Sequence, residues 1–306
     1  MLPVPPAIAA VILNYNGFDD TIACLDSIVR AGYGTLPIVL VDNASPDGSG
    51  TLLASRYAQH TVLLRPRNDG FAAGVNEGIR RALDDGAEFV LVMNNDIIVD
   101  AGFLDGLVAH LATHPRTGIV TCKAYLSSDP SRRYMTGGHL SLPRCNVAPL
   151  TEAEAETAMQ VPFISGCIFL ARAAVFRECG LMDESYFLYF EDLEFSRRVA
   201  TRWELWYLPD GVIHHKSGGG TSWSAYTSTY HYYMNRNRFL VFRGDGLARR
   251  AYVLLYGTLN TIAKSAVIIA SSRNGDESRD KLRALWRGLR DGAALFFSPS
   301  RRATPG

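Results

Sequence analysis

Several features that would announce a function at once are missing. The five cysteines, Cys24, Cys122, Cys145, Cys167 and Cys179, are scattered, odd in number and form no CxxC pair. Neither a disulfide framework nor a cysteine-rich zinc site is expected, and this usage suits a reducing compartment. No stretch fits GxxxxGK[ST], and the segment Asn68-Asp69-Gly70-Phe71-Ala72-Ala73-Gly74-Val75-Asn76 does not fit GxGxxG. P-loop and dinucleotide-binding readings therefore lack their motif; small residues there let a helix approach a sheet closely. No internal repeat is visible. The opening MLPVPPAIAAVILNYN has no basic region and only a short apolar run, so a signal peptide is not expected. A surplus of charge is missing too. Lys and Arg number 31 against 30 Asp and Glu, a formal +1 over 306 residues, which gives no hint of a nucleic-acid partner.

The even total hides a split. Up to Tyr230 there are 17 basic and 25 acidic residues; from His231 onward there are 14 and 5. With 47% hydrophobic and 20% charged residues the chain is an ordinary globular protein rather than a disordered or low-complexity one.

The first 125 residues alternate strand and helix signals. Residues 7–13, 37–41, 61–64, 88–93 and 118–122 read as strands, and 19–30, 49–59, 70–85 and 101–113 as helices. That alternation predicts a mainly parallel sheet with right-handed crossovers. Ligands of such sheets sit at the carboxyl ends of the strands, and Asn14-Tyr15-Asn16, Asp42-Asn43 and Asn94-Asn95-Asp96 all occupy such ends. Residues 125–160 lose periodicity and read as loops with a hairpin. A strand over 161–171, interrupted by Ser165-Gly166, precedes a helix over 173–179, an aromatic loop over 183–190, a helix over 191–202, a strand over 204–208 and a glycine-rich loop over 211–224. Helices are expected over 225–242, 247–271 and 277–296.

Three segments carry candidate chemistry. Asn94-Asn95-Asp96 can hold a hard divalent cation through oxygen; a simple strand-to-helix turn is the other reading. Glu191-Asp192 beside aromatic residues can form a base of raised pKa, or can serve only as acidic residues at a helix N-terminus. His214-His215-Lys216-Ser217-Gly218-Gly219-Gly220 combines imidazoles, an ammonium group and a backbone open to phosphate, or is structural.

Taken in order, VILNYNG, IVLVDNASPDGS, NDGFAAGVNEGI, FVLVMNNDIIVD, FISGCIFLARAAVF, MDESYFLYFEDLEFSRR and IHHKSGGG resemble the family-2 glycosyltransferases, above all the bacterial branch with rhamnosyltransferases of polysaccharide assembly. The resemblance covers residues 7–231. It implies an α/β fold of the GT-A type, with a mainly parallel, Rossmann-like nucleotide-sugar-binding sheet over residues 1–224 and a basic helical extension over 225–306. It implies transfer, with inversion, of a sugar from a UDP- or dTDP-sugar, dTDP-rhamnose among the candidates, to a hydroxyl of a glycan or lipid-linked saccharide.

Residue by residue, the resemblance implies Asp192 as general base with Glu191 beside it. Asp42 would contact the pyrimidine alongside Asn14 and Tyr15, Asn95 the ribose, and Ser165 and Gly166 the donor sugar. Asp96, His215 and Asn94 would hold Mg²⁺ or Mn²⁺, with Asn94 standing where the family's DxD has its first Asp. Lys216, Gly218 and Arg236 are candidates for the diphosphate. A sugar nucleotidyltransferase would carry a Gly-rich basic loop after the first strand, which Asn14-Tyr15-Asn16-Gly17-Phe18 is not. A degenerate scaffold that binds sugar nucleotide or glycan is the remaining alternative, with Asn94 as its support.

The basic C-terminal part holds an almost wholly apolar stretch, 251–270, with a polar stripe of Asn260, Thr261, Lys264 and Ser265. That suits a helix lying in a membrane interface or docked on a partner, including a second copy. Lys281, Arg283, Arg287 and Arg290 follow on an amphipathic helix suited to anionic lipid. The chain is expected in the cytoplasm, peripheral at the inner face of the cell membrane.

Overall fold

The computed structural model describes residues 7–141, 144–216, 226–271 and 275–297. The described residues form two compact units. The first holds 7–139, 148–185 and 191–216; the second holds 140–141, 144–147, 186–190, 226–271 and 275–297. The second unit takes in two short segments from the middle of the chain besides its C-terminal part.

In the first unit the chain runs through β1 (Ile8–Asn14), α1 (Phe18–Ile28, continued by a π-helical turn to Tyr33), β2 (Ile38–Asp42), α2 (Ser49–Arg56), β3 (Thr61–Leu64), α3 (Phe71–Asp84), β4 (Phe89–Asn94), β5 (Ile97–Val99) and α4 (Asp105–Thr113). Then come β6 (Thr117–Leu126), β7 (Asp129–Tyr134), β8 (Gly137–Ser141) and β9 (Asn146–Pro149), whose facing ends are assigned to the second unit, and β10 (Met159–Gln160), β11 (Phe163–Ile164), β12 (Ile168–Arg172), α5 (Ala173–Cys179), α6 (Glu191–Val199) and β13 (Glu204–His215).

Ten strands make one sheet in the order β10-β13-β6-β12-β4-β1-β2-β3, with β5 on β13 and β7 on β6; β11, β8 and β9 form a second sheet. The run β3-β2-β1-β4 is parallel, as is β6 with β13, while β12 lies antiparallel between β4 and β6.

Both faces of β1, β2 and β4 are covered, which is why these strands read as unbroken apolar segments. Ile12, Leu40, Leu91 and Met93 point to one side, with Leu53 of α2 and Leu107 and Leu111 of α4. Val11, Val39, Val41, Val90 and Val92 point to the other, with Val75, Ile79 and Ala82 of α3 and Phe195 of α6. Each such side chain contributes about 1.5–3 kcal/mol by leaving water. The small residues of α3 serve close approach: a Cβ on Gly78 would strike Val11, and one on Gly74 would strike Leu13.

The second unit is built on α7 (Ser228–Val241), α8 (Leu247–Ala270) and α9 (Gly275–Phe297). Gly288 and Gly292 of α9, one turn apart, let it lie directly on α7, since a Cβ at Gly288 would strike the Tyr232 carbonyl and one at Gly292 the Phe239 ring. The segment 186–190 is strained: Phe187, Tyr189 and Phe190 have φ of 60°, 67° and 72°, a region that bulky residues rarely enter. Asn237 of α7 holds it, donating from Nδ2 to the carbonyls of Tyr186, Leu188 and Tyr189, each at 2.8 Å.

The polarity of α8 is inverted. Its buried residues include Thr261 and Lys264, while every exposed residue from Ala251 to Ala270 is apolar or aromatic, with Leu259 57% and Ile269 63% exposed. The polar stripe therefore faces protein rather than solvent or headgroups. On α9, Arg283, Arg287 and Arg290 are exposed, but Lys281 is buried and paired with Glu277 at 2.5 Å.

Candidate active site

The carboxyl ends of β1, β2 and β4 are neighbours in register: Asn14 lies opposite Asp42, and Leu13 opposite Asn94. Asn14, at 0% exposure, is the hub. Its Nδ2 donates to Asp42 Oδ1 at 2.7 Å and Ser49 Oγ at 2.9 Å, and its Oδ1 accepts from Thr21 Oγ1 at 3.0 Å. These bonds give Asn14, expected at the donor site, an internal role in fixing the loop after β2. Asp42 is also buried, and its carboxylate accepts from the Ser45 amide at 3.0 Å and hydroxyl at 2.6 Å. Gly50 is required beside it, because a Cβ there would collide with that carboxylate. Tyr15 stands 48% exposed at the same edge. Asn95 turns its amide inward, donating to Thr21 Oγ1 at 2.9 Å.

Sequence reasoning missed Arg65, which directly follows β3 and so extends the row of polar strand ends. Its guanidinium donates to Asn43 Oδ1 at 2.6 Å and pairs with Glu77 at 2.8 Å and Asp69 at 3.1 Å. The signal available was a lone Arg ending a short apolar strand.

A second pole forms where β13 pairs antiparallel with β5, setting His215 opposite Ile97. His215 Nε2 lies 3.5 Å from Asp96 Oδ1 and 3.3 Å from Asn94 Nδ2. Burial lowers the His215 pKa, with Asp96 opposing, so the ring is held neutral and has a lone pair to offer. Tyr134 stacks on it, centroids 4.3 Å apart and planes 5° apart. His214 points elsewhere, 3.3 Å from Asp100. Lys216 donates its amide to the Asp96 carbonyl at 2.9 Å, and its ammonium pairs with Asp20.

Among the described residues no group of three His, Cys, Asp or Glu surrounds one point. The donor set here is one carboxylate, one neutral imidazole and one amide. That set fits a divalent cation whose remaining positions are filled by substrate oxygens.

The third pole is the start of α6. Asp192 accepts from the Gly166 amide at 3.0 Å and the Leu193 amide at 2.8 Å. Glu191 is buried with Oε2 lacking a partner. Burial raises both carboxyls, and Glu191 reaches about 8 with Asp192 adding to the effect. The two amide bonds favour the anion on Asp192, so the shared proton resides on Glu191. Gly166 packs against Phe71 and Asp192, where a Cβ would lie 3.3 Å and 3.5 Å from them.

Residues 165–167 tie the poles together. The Gly166 amide holds Asp192, while the carbonyl of Cys167 accepts the Asn94 amide at 2.8 Å. Both Asp192 and Asp96 act on the Cys167 thiol, which burial pushes up to about 12. Asp192 and the Asn94-Asp96-His215 group are thus fixed by adjacent residues of one strand entrance.

The family model for glycosyl transferase family 2 matches residues 9–180, which carry the first pole, Asp96 and Gly166. The chain belongs to glycosyl transferase family 2. It is 26% identical over 291 residues to the dTDP-rhamnosyl transferase RfbF of Shigella flexneri, covering 90% of this chain and 92% of that one. It is 29% identical over 217 residues to an N-acetylglucosaminyl-diphospho-decaprenol L-rhamnosyltransferase of Mycobacterium tuberculosis, covering 63% and 71%. The fold matches a mannosyltransferase of Pyrobaculum calidifontis solved with GDP-Man and Mn2+, at a TM-score of 0.58 and 17% identity, over 96% of this chain and 88% of that one. S. aureus TarS with UDP-GlcNAc also matches, at 0.58 and 14%, over 94% and 82%. The family-2 chain therefore has the GT-A fold and is a sugar-nucleotide-dependent glycosyltransferase.

Of the remaining expected site residues, Ser165 is buried, its hydroxyl 3.4 Å from the Cys167 amide. Arg236 lies in the second unit, bonded to Asn237 Oδ1 at 2.8 Å and over the Tyr233 ring. Gly218 lies outside the described residues.

Proposed function

We propose that this family-2 enzyme transfers a sugar with inversion from a UDP- or dTDP-sugar, dTDP-rhamnose first among the candidates, to a hydroxyl of a glycan or lipid-linked saccharide. The observation that carries the reading is the entrance 165–167, which holds Asp192 and the Asn94-Asp96-His215 group through neighbouring backbone atoms. The named activities of the Shigella and Mycobacterium relatives support the choice of donor and acceptor class.

On this reading Asp192 takes the proton of the acceptor hydroxyl as its oxygen bonds to the anomeric carbon. The bond from that carbon to the diphosphate breaks on the opposite face, and the nucleoside diphosphate leaves. A positioned base contributes about 10²–10⁴-fold. Neutral Glu191 keeps a second charge away from Asp192. Asp96, His215 and Asn94 would hold Mg²⁺ or Mn²⁺, which when bound neutralises charge on the leaving diphosphate. Asp42 and the exposed Tyr15 are proposed for the base of the nucleotide, and Asn95, Ser165, Gly166, Lys216, Gly218 and Arg236 for the rest of the donor.

The apolar outer face of α8 and the exposed arginines of α9 support a peripheral place on an anionic membrane at the cytoplasmic side. A second copy of the chain is the other occupant of that face.

The test is a screen of nucleotide sugars by calorimetry with and without Mn²⁺, followed by turnover of the donor that binds on a polyprenyl-diphosphate-linked saccharide. Binding of one pyrimidine-diphosphate sugar with turnover is expected. Donor binding with no transfer to any hydroxyl acceptor would overturn the reading in favour of a sugar-nucleotide-binding scaffold.

A further inference from the structure

The first unit contains a cavity of about 360 Å³ between β7 and the segment 149–152, with Tyr207 of β13 in its wall. Its charged lining is Arg132, Arg133 and Glu152, two guanidinium groups against one carboxylate. Arg133 is the enclosed member, its side chain 18% exposed, whereas that of Glu152 is 92% exposed. The two meet as fork and carboxylate. Arg133 Nε donates to Glu152 Oε2 at 3.1 Å, and Nη2 lies 2.6 Å from Oε1. Glu156 also acts on Arg133, but its carboxylate pairs with Lys123 at 2.6 Å.

A carboxylate as exposed as that of Glu152 gains little from an ion pair, since water competes for it and the side chain must be held still. An enclosed guanidinium, by contrast, is best satisfied by a planar acceptor that takes both arms of its fork. Glu152 therefore fills a place that a carboxylate arriving on a ligand can take over. The rest of the lining suits a sugar. Ser131 adds a hydroxyl group, Tyr207 an aromatic ring, and Pro149 with Leu150 an apolar surface, the mixture that a polar-edged ring with C–H faces requires.

The cavity is built into the frame of the candidate active site. Thr136, in its wall, accepts the Ser165 amide at 2.7 Å through its carbonyl, and Gly137 pairs with Ile164. The residue after Ser165 is Gly166, whose amide holds Asp192. Tyr134, also in the wall, stacks on His215. A glycan that presents one hydroxyl to Asp192 carries further sugars, and a cavity on this frame is suited to hold one. We propose that the cavity binds a carboxylate-bearing sugar of the acceptor glycan, whose carboxylate displaces Glu152 from Arg133. The acceptor role rests on the transfer reading; the binding of an acidic sugar does not.

The test uses the full-length protein in EDTA, without a sugar nucleotide, and reads binding by calorimetry. Methyl β-glucuronide should bind saturably, and methyl β-glucoside, which lacks the carboxylate, about tenfold or more weakly. Arg133→Met should abolish the preference for the charged sugar. Glu152→Ala should tighten its binding about two- to fivefold, because a competing carboxylate is gone. That side chain is exposed, so this variant should fold even where Arg133→Met does not. An ion pair that only braces the segment predicts no gain in Glu152→Ala, and equal affinity there and in the wild type overturns the proposal. No binding of methyl β-glucuronide to either protein overturns it too. Equally tight binding of acetate or inorganic phosphate does the same, since the site would then take a bare anion.

A turnover arm compares glycan acceptors with and without a uronate next to the reacting sugar. The uronate should lower KM about tenfold at equal kcat, and Arg133→Met should erase the difference. Equal KM values in the wild type would overturn the acceptor role. Transfer to neither acceptor, with binding of methyl β-glucuronide intact, would overturn the transfer reading and leave the acidic-sugar site supported. Asp192→Asn should bind methyl β-glucuronide as the wild type does, so the two failures are separable.

Discussion

The ring of Tyr134 lies flat against the ring of His215, 4.3 Å away and 5° from parallel. The stack fixes the imidazole plane so that Nε2 faces Asp96 and Asn94. Replacing Tyr134 with Ala should raise the divalent-ion concentration needed for half-maximal transfer about 10–100-fold, the usual cost of losing a group that orients a ligand. Tyr134→Phe keeps the ring and should stay near the wild-type value. A Mn²⁺ titration of activity checks both, and equal values for Ala and wild type would refute the orienting role.

Asp192 accepts the backbone N–H groups of Gly166 and Leu193. Asp192→Asn should lower kcat about 10²–10⁴-fold and leave the Kd for the sugar nucleotide within about twofold. Isothermal titration with the donor, beside a turnover assay, separates the two quantities.

The carboxyl pair predicts a pH effect with a definite sign. Both pKa values are raised on folding, by burial first, so the folded chain keeps a proton that the unfolded chain would release. The stability this contributes is full below the ordinary carboxylate range and is lost as pH rises through about 8, the value for Glu191. Glu191→Gln keeps the neutral shape at every pH. Its Tm should stay level between about pH 6 and 9, where the wild-type Tm falls. Parallel slopes in a thermal melt series would refute the assignment of the proton to Glu191.

Asn237 is the clamp on a strained turn, three carbonyls on one amide. Asn237→Ala leaves those carbonyls without their donor and should cost about 1–3 kcal/mol, read as a lower urea midpoint. Because residue 190 leads directly into Glu191, kcat should fall as well, with the donor Kd little changed.

The apolar face of α8 predicts a surface effect. Leu259→Glu with Ile262→Glu changes only exposed positions, so the melt should move little. Flotation with anionic vesicles should drop several-fold. Unchanged flotation, with conversion of a dimer to monomer in sedimentation, would assign the face to a second copy.

β1, β2 and β4 were legible in the sequence because they are buried on both faces. The strand over 61–64 and the helix over 173–179 have the bounds that the sequence suggested. The polar strand ends were legible for the same reason, since Asn14, Asp42 and Asn94 interrupt continuous apolar runs. What failed depended on distant partners. β5 is three residues long, too short for any period to register. β13 continues to His215 although Pro209, Asp210 and Gly211 read as a break, because its register with β6 shifts between Leu208 and Val212 and absorbs them as a bulge. Residues 125–160 hold short, partly exposed strands with little apolar alternation to read. The inward turn of the α8 polar stripe was also hidden, since a helical pattern shows that a stripe exists but not which neighbour it meets.

The inverted polarity of α8 has a consequence for how this protein should be counted. If that face rests on lipid, as proposed, the effective concentration of the protein becomes a number per unit area of bilayer rather than per volume of solution. Its rate on a lipid-borne acceptor would then scale with surface density. Diluting the suspension would leave turnover unchanged, while adding empty vesicles would slow it.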